Sequence, residues 1–175
     1  MDREYDIIVW GATGFTGRLV VDYMTEQHAK SNLKWAVGGR NPQKLQQMLA
    51  DRDVAMVTAD SGDEASIEAL VRRTRVILTT VGPYARYGSS LVAACAKHGT
   101  DYCDLTGEVH WMREMITAYQ EEAIATGARI VHTCGFDSIP SDLGVYFLQK
   151  HMLSTHGVPA HQIKYRPRAF SGGFS

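Results

Sequence analysis

The fold of this 175-residue chain is decided near its start, where residues 5–17 read YDIIVWGATGFTG. Residues 7–10 form a short, continuous apolar run, as expected of a strand that is buried on both faces. A glycine-rich turn follows, and helical spacing of apolar residues begins at Arg18. A strand, a glycine-rich turn and a helix in this order predict a dinucleotide-binding unit. The predicted cofactor-binding residues of the turn are Gly11, Ala12, Thr13, Gly14, Phe15, Thr16 and Gly17.

Each glycine of this turn has a physical task. One makes the tight turn, another lets the backbone approach the pyrophosphate, and the third allows close contact between helix and strand. We expect the backbone amides of Thr13, Phe15 and Thr16 to donate to phosphate oxygens at the helix N-terminus. A plain glycine turn is the alternative interpretation, but the strand before it and the helix after it favour a cofactor site.

The end of the second predicted strand indicates which dinucleotide is bound. Sites for NAD usually carry an Asp or Glu there, which hydrogen-bonds the ribose 2′-hydroxyl, whereas sites for NADP often carry an arginine. This chain has Gly38, Gly39 and Arg40 at that point, and no acid. Arg40 can pair with a 2′-phosphate, and Lys44 can add positive charge. The sequence therefore predicts NADP as the cofactor, against the alternative of a solvated surface arginine.

Two later strand ends supply further candidate cofactor residues. Asp60 follows the third strand and can accept a hydrogen bond from the adenine amino group, or can instead cap the next helix. Gly82, Pro83 and Tyr84 end the fourth strand where the nicotinamide half should pass, and a glycine there lets the ring come close. A simple strand-ending turn is the alternative for these three residues.

Apolar runs alternate with amphipathic segments along the whole chain. The predicted strands are 7–10, 34–39, 54–58, 76–81, 101–104 and 129–132, and the predicted helices are 18–28, one from Pro42 capped by Asn41, 63–72, 88–98, 109–126 and 139–152. Short connections between them imply a parallel sheet with helices on both faces. Right-handed crossovers then predict the doubly wound Rossmann α/β fold with strand order 3-2-1-4-5-6.

Helical spacing also predicts which side chains face the core. On the first helix one side carries Leu19, Val20, Tyr23 and Met24, and the inward residues of the later helices are Leu45, Met48, Leu49, Leu91, Val92, Cys95, Met112, Met115, Ile116 and Tyr119.

The last twenty residues differ from the rest. Residues 162–166 resemble a strand entering a new sheet, and residues 171–175 are a glycine-rich turn. We therefore predict an NADP-binding domain over residues 1–155 and the start of a substrate or dimerisation domain over 156–175. We also expect the chain to be the N-terminal part of a longer protein.

Composition narrows the class of protein. The net charge is −1, which favours neither nucleic acid nor an anionic membrane as a partner. No stretch approaches the roughly 20 apolar residues of a transmembrane helix, and the N-terminus lacks the apolar core of a secretory signal, so we expect a cytoplasmic protein.

Cys95, Cys103 and Cys134 are expected to be buried free thiols. The seven histidines show no metal-ligand spacing, and His132 is expected to be a satisfied core residue.

Three strings in the second half resemble a known family. Residues 81–88 read VGPYARYG, residues 101–108 read DYCDLTGE and residues 134–144 read CGFDSIPSDLG. Together with residues 11–17 and 38–40 they resemble the saccharopine dehydrogenase-like family, nearest to its branch of trans-acting enoyl reductases and related lipid-linked oxidoreductases.

This resemblance implies an NADP-dependent oxidoreductase that transfers hydride between NADP(H) and a small or lipid-linked substrate. It also implies a second domain that completes the substrate site, so that this chain alone is inactive. A homodimer formed through that domain, and membrane association through a lipid substrate, are further expectations. The family's cofactor residues fall on Gly11, Thr13, Gly14, Phe15, Thr16, Gly17, Arg40, Gly82, Pro83 and Tyr84.

The candidate catalytic residues near the nicotinamide are Tyr84, Asp104, Glu108, Asp137 and Ser138. Helix capping is the alternative role for most of them. Asp104 or Thr106 can cap the helix at 109, with Glu108 in its first turn, and Asp137 and Ser138 can cap the helix at Pro140.

Two other functions fit the same sequence. Tyr146 and Lys150 match the Tyr-x-x-x-Lys pair of short-chain dehydrogenases, although the fourth strand ends in Val81-Gly82-Pro83-Tyr84 and not in the Asn-Ala-Gly of those enzymes. A non-catalytic NADP-binding redox sensor or scaffold is the second alternative.

Overall fold

The computed structural model describes residues 2–28, 31–50 and 52–166. The strands are β1 Tyr5–Trp10, β2 Trp35–Gly39, β3 Ala55–Thr58, β4 Thr74–Thr79, β5 Asp101–Cys103 and β6 Ile130–Val131. The helices are α1 Phe15–His28, α2 Pro42–Leu49, α3 Glu64–Val71, α4 Tyr84–Tyr87, α5 Ser89–His98, α6 Val109–Thr126 and α7 Ile139–His156.

The six strands form one parallel sheet in the order β3-β2-β1-β4-β5-β6, which confirms the predicted Rossmann topology. In register, Val9 of β1 lies opposite Val37 of β2 on one side and Leu78 of β4 on the other. The strand order reverses at β1, because β2 and β4 are its two neighbours. Ligands of open α/β sheets bind at the carboxyl ends of the strands at such a point.

The core lies on both faces of the sheet. Ile8 and Trp10 face a buried cluster that contains side chains of α3, α5 and α6, whereas Val9 faces a second cluster with Val21 of α1 and Leu45 of α2. Successive β1 side chains therefore enter opposite layers, which explains why the strand is apolar throughout.

The predicted inward faces are right for α2 and α5 and partly wrong for α1 and α6. On α1, Met24 is buried as predicted, but Leu19 and Tyr23 are exposed, and Gly17 and Val21 are buried. On α6, Ile116 is exposed, and Trp111 takes the buried position. The indole N–H of Trp111 donates to Ser89 Oγ at 2.9 Å, and the buried residues of the helix are Trp111, Met115 and Ala123.

Two further expectations need correction. Residues 162–166 are described and form no strand. Cys134 is exposed, whereas Cys95 is buried and Cys103 is partly buried. Residues 171–175, where the sequence predicts a turn, lie outside the described residues.

The described part of the chain contains no helix that is long and apolar enough to cross a membrane. Within residues 2–28, 31–50 and 52–166, no group of three His, Cys, Asp or Glu side chains is placed to hold a metal ion.

Candidate cofactor site

The glycine turn between β1 and α1 is closely packed at two positions. Gly11 has φ +88°, a left-handed conformation that favours glycine, and a Cβ there would lie 2.5 Å from Val81 Cγ2. A Cβ on Gly17 would lie 2.2 Å from the Gly11 carbonyl oxygen, so helix and turn can meet only because Gly17 lacks a side chain. These are the turn-forming and helix-packing tasks that the sequence predicts.

The exposed part of the turn lies at the edge of the sheet where the strands have their carboxyl ends. Gly14 is exposed, and α1 begins at the next residue, Phe15. The N–H groups in the first turn of a helix have no intrahelical partner, and the first turn of α1 carries no acid. This end of α1 therefore fits a pyrophosphate. Ala12 is different, since its side chain is fully buried and its N–H donates to the Gly38 carbonyl.

A first cleft of about 490 Å³ opens on one side of the turn. The ends of β1, β2 and β3 and the helix α4 all contribute to it, and its lining includes Gly11, Thr13, Arg40, Asp60, Arg86 and Tyr87. The structure thus brings the predicted residues Arg40 and Asp60 together beside the turn. Lys44 lies apart from them, in a neighbouring groove with Arg18.

The capping alternative for Asp60 is wrong. Its Oδ1 accepts the N–H of Gly62 at 3.0 Å, in the loop before α3. Asp63 is the residue that caps α3, with Oδ1 accepting the N–H groups of Ala65 and Ser66. The predicted cap of α2 is confirmed, because Asn41 Oδ1 accepts the N–H of Lys44 at the start of that helix.

A second cleft of about 420 Å³ lies on the other side of the turn. Its lining includes the predicted residues Gly14, Phe15, Thr16, Gly82, Pro83 and Tyr84, together with Thr106 and Glu108. Three segments that are far apart in sequence therefore meet here, at the carboxyl ends of β1, β4 and β5. The glycine turn separates this cleft from the first.

Glu108 spans the second cleft and caps a helix that the sequence did not identify. Its two carboxylate oxygens accept the N–H of Tyr84 at 2.6 Å and that of Ala85 at 2.9 Å. These are the first two residues of α4, so the carboxylate caps α4 and not α6. At α6 the N-cap is Glu108, and no side chain caps the first turn; the hydroxyl of Thr106 accepts the N–H of Glu108 at 3.0 Å, before the helix begins, so the predicted capping of α6 by Asp104 or Thr106 is wrong.

The side chain of Tyr84 points into the core. It is 6% exposed, its hydroxyl donates to the Thr79 carbonyl at 3.3 Å, and it accepts the N–H of Leu105 at 3.4 Å. Burial raises the pKa of the Tyr84 hydroxyl to about 12. Tyr84 therefore presents its backbone to the second cleft and keeps its phenol proton in the interior.

Asp104 is a buried junction between β5 and β6. Its carboxylate accepts hydrogen bonds from the Tyr102 hydroxyl at 2.8 Å and from the N–H groups of Thr106 and Thr133, and it lies 2.7 Å from Nδ1 of His132. Burial opposes its charge, but the bonds to His132, Thr106 and Tyr102 hold the pKa of Asp104 below its ordinary value. The same burial raises the pKa of Tyr102. His132 is satisfied at Nδ1 alone, since its buried Nε2 has no described partner.

The remaining candidates lie outside both clefts. Asp137 is exposed, and Ser138 stands at the N-cap of α7 without a side-chain hydrogen bond, so the structure does not support capping by either residue. Tyr146 is 64% exposed on α7, and neither it nor Lys150 lines either cleft. Cys134 is exposed, but partial desolvation raises its thiol pKa, which is opposite to the shift that activates a thiol.

The sequence identified Glu108 as a candidate residue but not its role, and it did not identify Arg86. The position of Glu108 as the cap of α4 depends on a contact across 24 positions, which no local pattern reveals. Arg86 lines the first cleft from α4, and its signal in the sequence is only a basic residue two positions after Tyr84. A solvated surface arginine has the same signal.

Comparisons with known proteins agree with this geometry. The family model described as the saccharopine dehydrogenase NADP binding domain matches residues 7–131, which confirms the predicted domain type and cofactor. A trans-acting enoyl reductase of Mycobacterium tuberculosis is 48% identical over 154 residues, covering 85% of this chain and 36% of the relative. That of Mycobacterium leprae is 45% identical over 156 residues, covering 86% and 37%. The chain thus spans less than two fifths of these relatives.

Solved structures show the same fold. Saccharopine dehydrogenase (L-Glu forming) of Saccharomyces cerevisiae superposes with a TM-score of 0.67 at 18% identity, over 87% of this chain and 32% of that one. Triphenylmethane reductase of Citrobacter sp., in complex with NADP(H), superposes with a TM-score of 0.56 at 18% identity, over 83% and 55%.

Proposed function

We infer that this chain, which belongs to the saccharopine dehydrogenase NADP-binding domain family, is the cofactor domain of an oxidoreductase that transfers hydride between NADP(H) and a small or lipid-linked substrate. The observation that carries this proposal is the pair of clefts on either side of the glycine turn. One has an arginine at the tip of β2, and the other has exposed glycine and backbone groups at the end of β4. This asymmetry suits a dinucleotide whose two halves differ in charge.

The residues of the first cleft would hold the adenosine half. Arg40 would pair with the 2′-phosphate, because its guanidinium matches phosphate oxygens and it forms no described ion pair inside the protein. The N–H groups of Phe15 and Thr16 would receive the pyrophosphate at the N-terminus of α1. Asp60 would face the adenine, with its carboxylate already oriented by the Gly62 N–H.

The residues of the second cleft would hold the nicotinamide half, which, when bound, supplies or accepts the hydride. Gly82 leaves space above the sheet edge, and Phe15, which is 75% exposed, would cover the cofactor from the side of α1. Glu108 would act as a positioning residue, because both of its oxygens hold the backbone of α4. The names of the mycobacterial relatives favour an enoyl group as the substrate.

The cofactor part of the proposal is tested by calorimetric titration of the chain with NADPH and with NADH. We expect NADPH to bind more tightly, and Arg40→Ala to weaken NADPH by roughly tenfold or more while changing NADH little, because charge-assisted hydrogen bonds contribute about 1.5–3 kcal/mol. Equal losses for both dinucleotides would contradict the role of Arg40. Arg113→Ala, an exposed arginine on α6, is the matched control.

The hydride-transfer part is tested with a second domain attached, because we expect such a domain to complete the substrate site. We would join this chain to the C-terminal part of the Mycobacterium leprae relative and follow NADPH oxidation with an enoyl thioester. Substrate-dependent oxidation would support the reductase. A chimera that binds NADPH and folds but shows no oxidation would instead favour the sensor or scaffold. Tyr146→Phe in the same chimera tests the short-chain dehydrogenase alternative, which requires the phenol.

A further inference from the structure

A second arginine lines the adenosine-side cleft. Arg86 lies in α4, which follows the end of β4, and its side chain is exposed. Arg40 reaches the same cleft from the end of β2. In the sheet, β1 lies between β2 and β4, so the two arginines reach the cleft from the elements that follow the two neighbours of β1.

The charges of the cleft do not cancel. Among the residues that the structure describes, neither Arg40 nor Arg86 takes part in an ion pair, and Asp60 is the one acid in the described lining. One oxygen of Asp60 is engaged by the Gly62 N–H. Two cations beside a single occupied carboxylate leave a positive potential, which is complementary to a dianionic phosphate and not to a neutral ribose hydroxyl.

The side chain of Arg86 is also oriented. Its guanidinium carbon lies 5.1 Å from the centroid of the Tyr87 ring, within the range of a cation–π contact, and Tyr87 lines the same cleft. Such a contact reduces the number of side-chain rotamers that the arginine samples. A guanidinium held in this way loses less entropy when it binds an anion.

We propose that Arg86 is a second cation for the 2′-phosphate, so that the pair Arg40 and Arg86 sets the preference for NADP. This inference rests on the proposed placement of the adenosine half in the first cleft. It adds a specificity-determining residue on α4, which is separate from the glycine turn and from the end of β2.

The test uses two fragments of the cofactor, adenosine 2′,5′-bisphosphate and 5′-AMP, which differ in the 2′-phosphate alone. We expect Arg86→Ala to weaken the bisphosphate by roughly tenfold, because one charge-assisted contact is lost, and to change 5′-AMP by less than about twofold. Arg86→Lys should fall between the wild type and Arg86→Ala, since it keeps the charge without the bidentate geometry. Arg113→Ala should leave both fragments unchanged.

Three outcomes would overturn the inference. Equal weakening of both fragments by Arg86→Ala would mean that Arg86 contacts the adenosine and not the phosphate. An unchanged affinity of Arg86→Ala for the bisphosphate would mean that Arg86 contacts neither the adenosine nor the phosphate. In that case the cofactor proposal would still stand if the wild type prefers the bisphosphate to 5′-AMP. A wild-type chain that does not prefer the bisphosphate would overturn the placement of the adenosine half and the role of Arg86 with it. Thermal unfolding of each variant checks that it is folded. If Arg86→Ala does not fold, Arg86→Lys is used as the test variant.

Discussion

Gly17 is the residue at which the cofactor turn tolerates the least change. The Cβ of an alanine there would lie 2.2 Å from the Gly11 carbonyl oxygen and 2.9 Å from the Ala12 Cα, and both are backbone atoms that cannot rotate away. Gly17→Ala must therefore move α1 relative to β1. We expect a loss of about 1–3 kcal/mol in the free energy of unfolding, together with weaker NADPH binding, measured by urea denaturation and calorimetry.

Gly144 provides the control for this prediction. It lies in α7, and a Cβ there would meet nothing within 4 Å. Gly144→Ala should raise the free energy of unfolding by about 0.5–1 kcal/mol, because alanine is favoured over glycine inside a helix. Similar destabilisation by both substitutions would show that the close contact at Gly17 is not the cause.

At the scale of an element, α4 depends on a side chain from another segment. The N–H groups of Tyr84 and Ala85 at its start are held by the carboxylate of Glu108. Glu108→Ala should lower the free energy of unfolding by about 1 kcal/mol, as the loss of a helix cap does. It should also speed hydrogen exchange at the Tyr84 and Ala85 amides, measured by NMR. Glu114→Ala, an exposed substitution on α6, should do neither, and unchanged exchange in the Glu108 variant would contradict the capping role.

The junction of β5 and β6 predicts a pH dependence. Hydrogen bonds hold the pKa of Asp104 in the folded state below its value in the unfolded chain, which is near 4. Its ionised form therefore stabilises the fold above that value, and this contribution is lost as the pH falls through the folded-state pKa. The difference in unfolding free energy between wild type and Asp104→Asn should be constant above about pH 5 and shrink below about pH 4.

Asp137→Asn is the control for the pH experiment, since Asp137 is exposed and has no described hydrogen bond. The difference in unfolding free energy between wild type and Asp137→Asn should stay near zero at every pH. A difference for Asp104→Asn that does not change with pH would mean that the carboxylate is no more ionised in the folded state than in the unfolded state.

At the scale of the molecule, the strand order was predictable because it depends on local signals. Apolar runs such as residues 7–10 mark the buried strands, and short connections with right-handed crossovers leave few topologies. The contacts of Asp104 with His132 and Thr133 were not predictable, since they join residues 28 and 29 positions apart. The prediction of the inward face of α6 was partly wrong for a similar reason, because Trp111 and Ile116 both fit helical spacing and Trp111 bonds to Ser89, which lies 22 positions away in the sequence.

The cofactor should stabilise the molecule as a whole, because its proposed clefts join residues of β1, β2, α1, α4 and the segment that follows β4. A ligand present at a hundred times its Kd stabilises the folded state by about 2.7 kcal/mol. In a chain of this size each kcal/mol shifts Tm by roughly 2–4 °C, so NADPH should raise Tm by roughly 5–11 °C in calorimetry. NADH at the same concentration should raise it much less, and the two dinucleotides should become similar in Arg40→Ala. Equal shifts with both dinucleotides in the wild type would mean that the 2′-phosphate contributes nothing to binding, and that the positive charge of the first cleft serves another ligand.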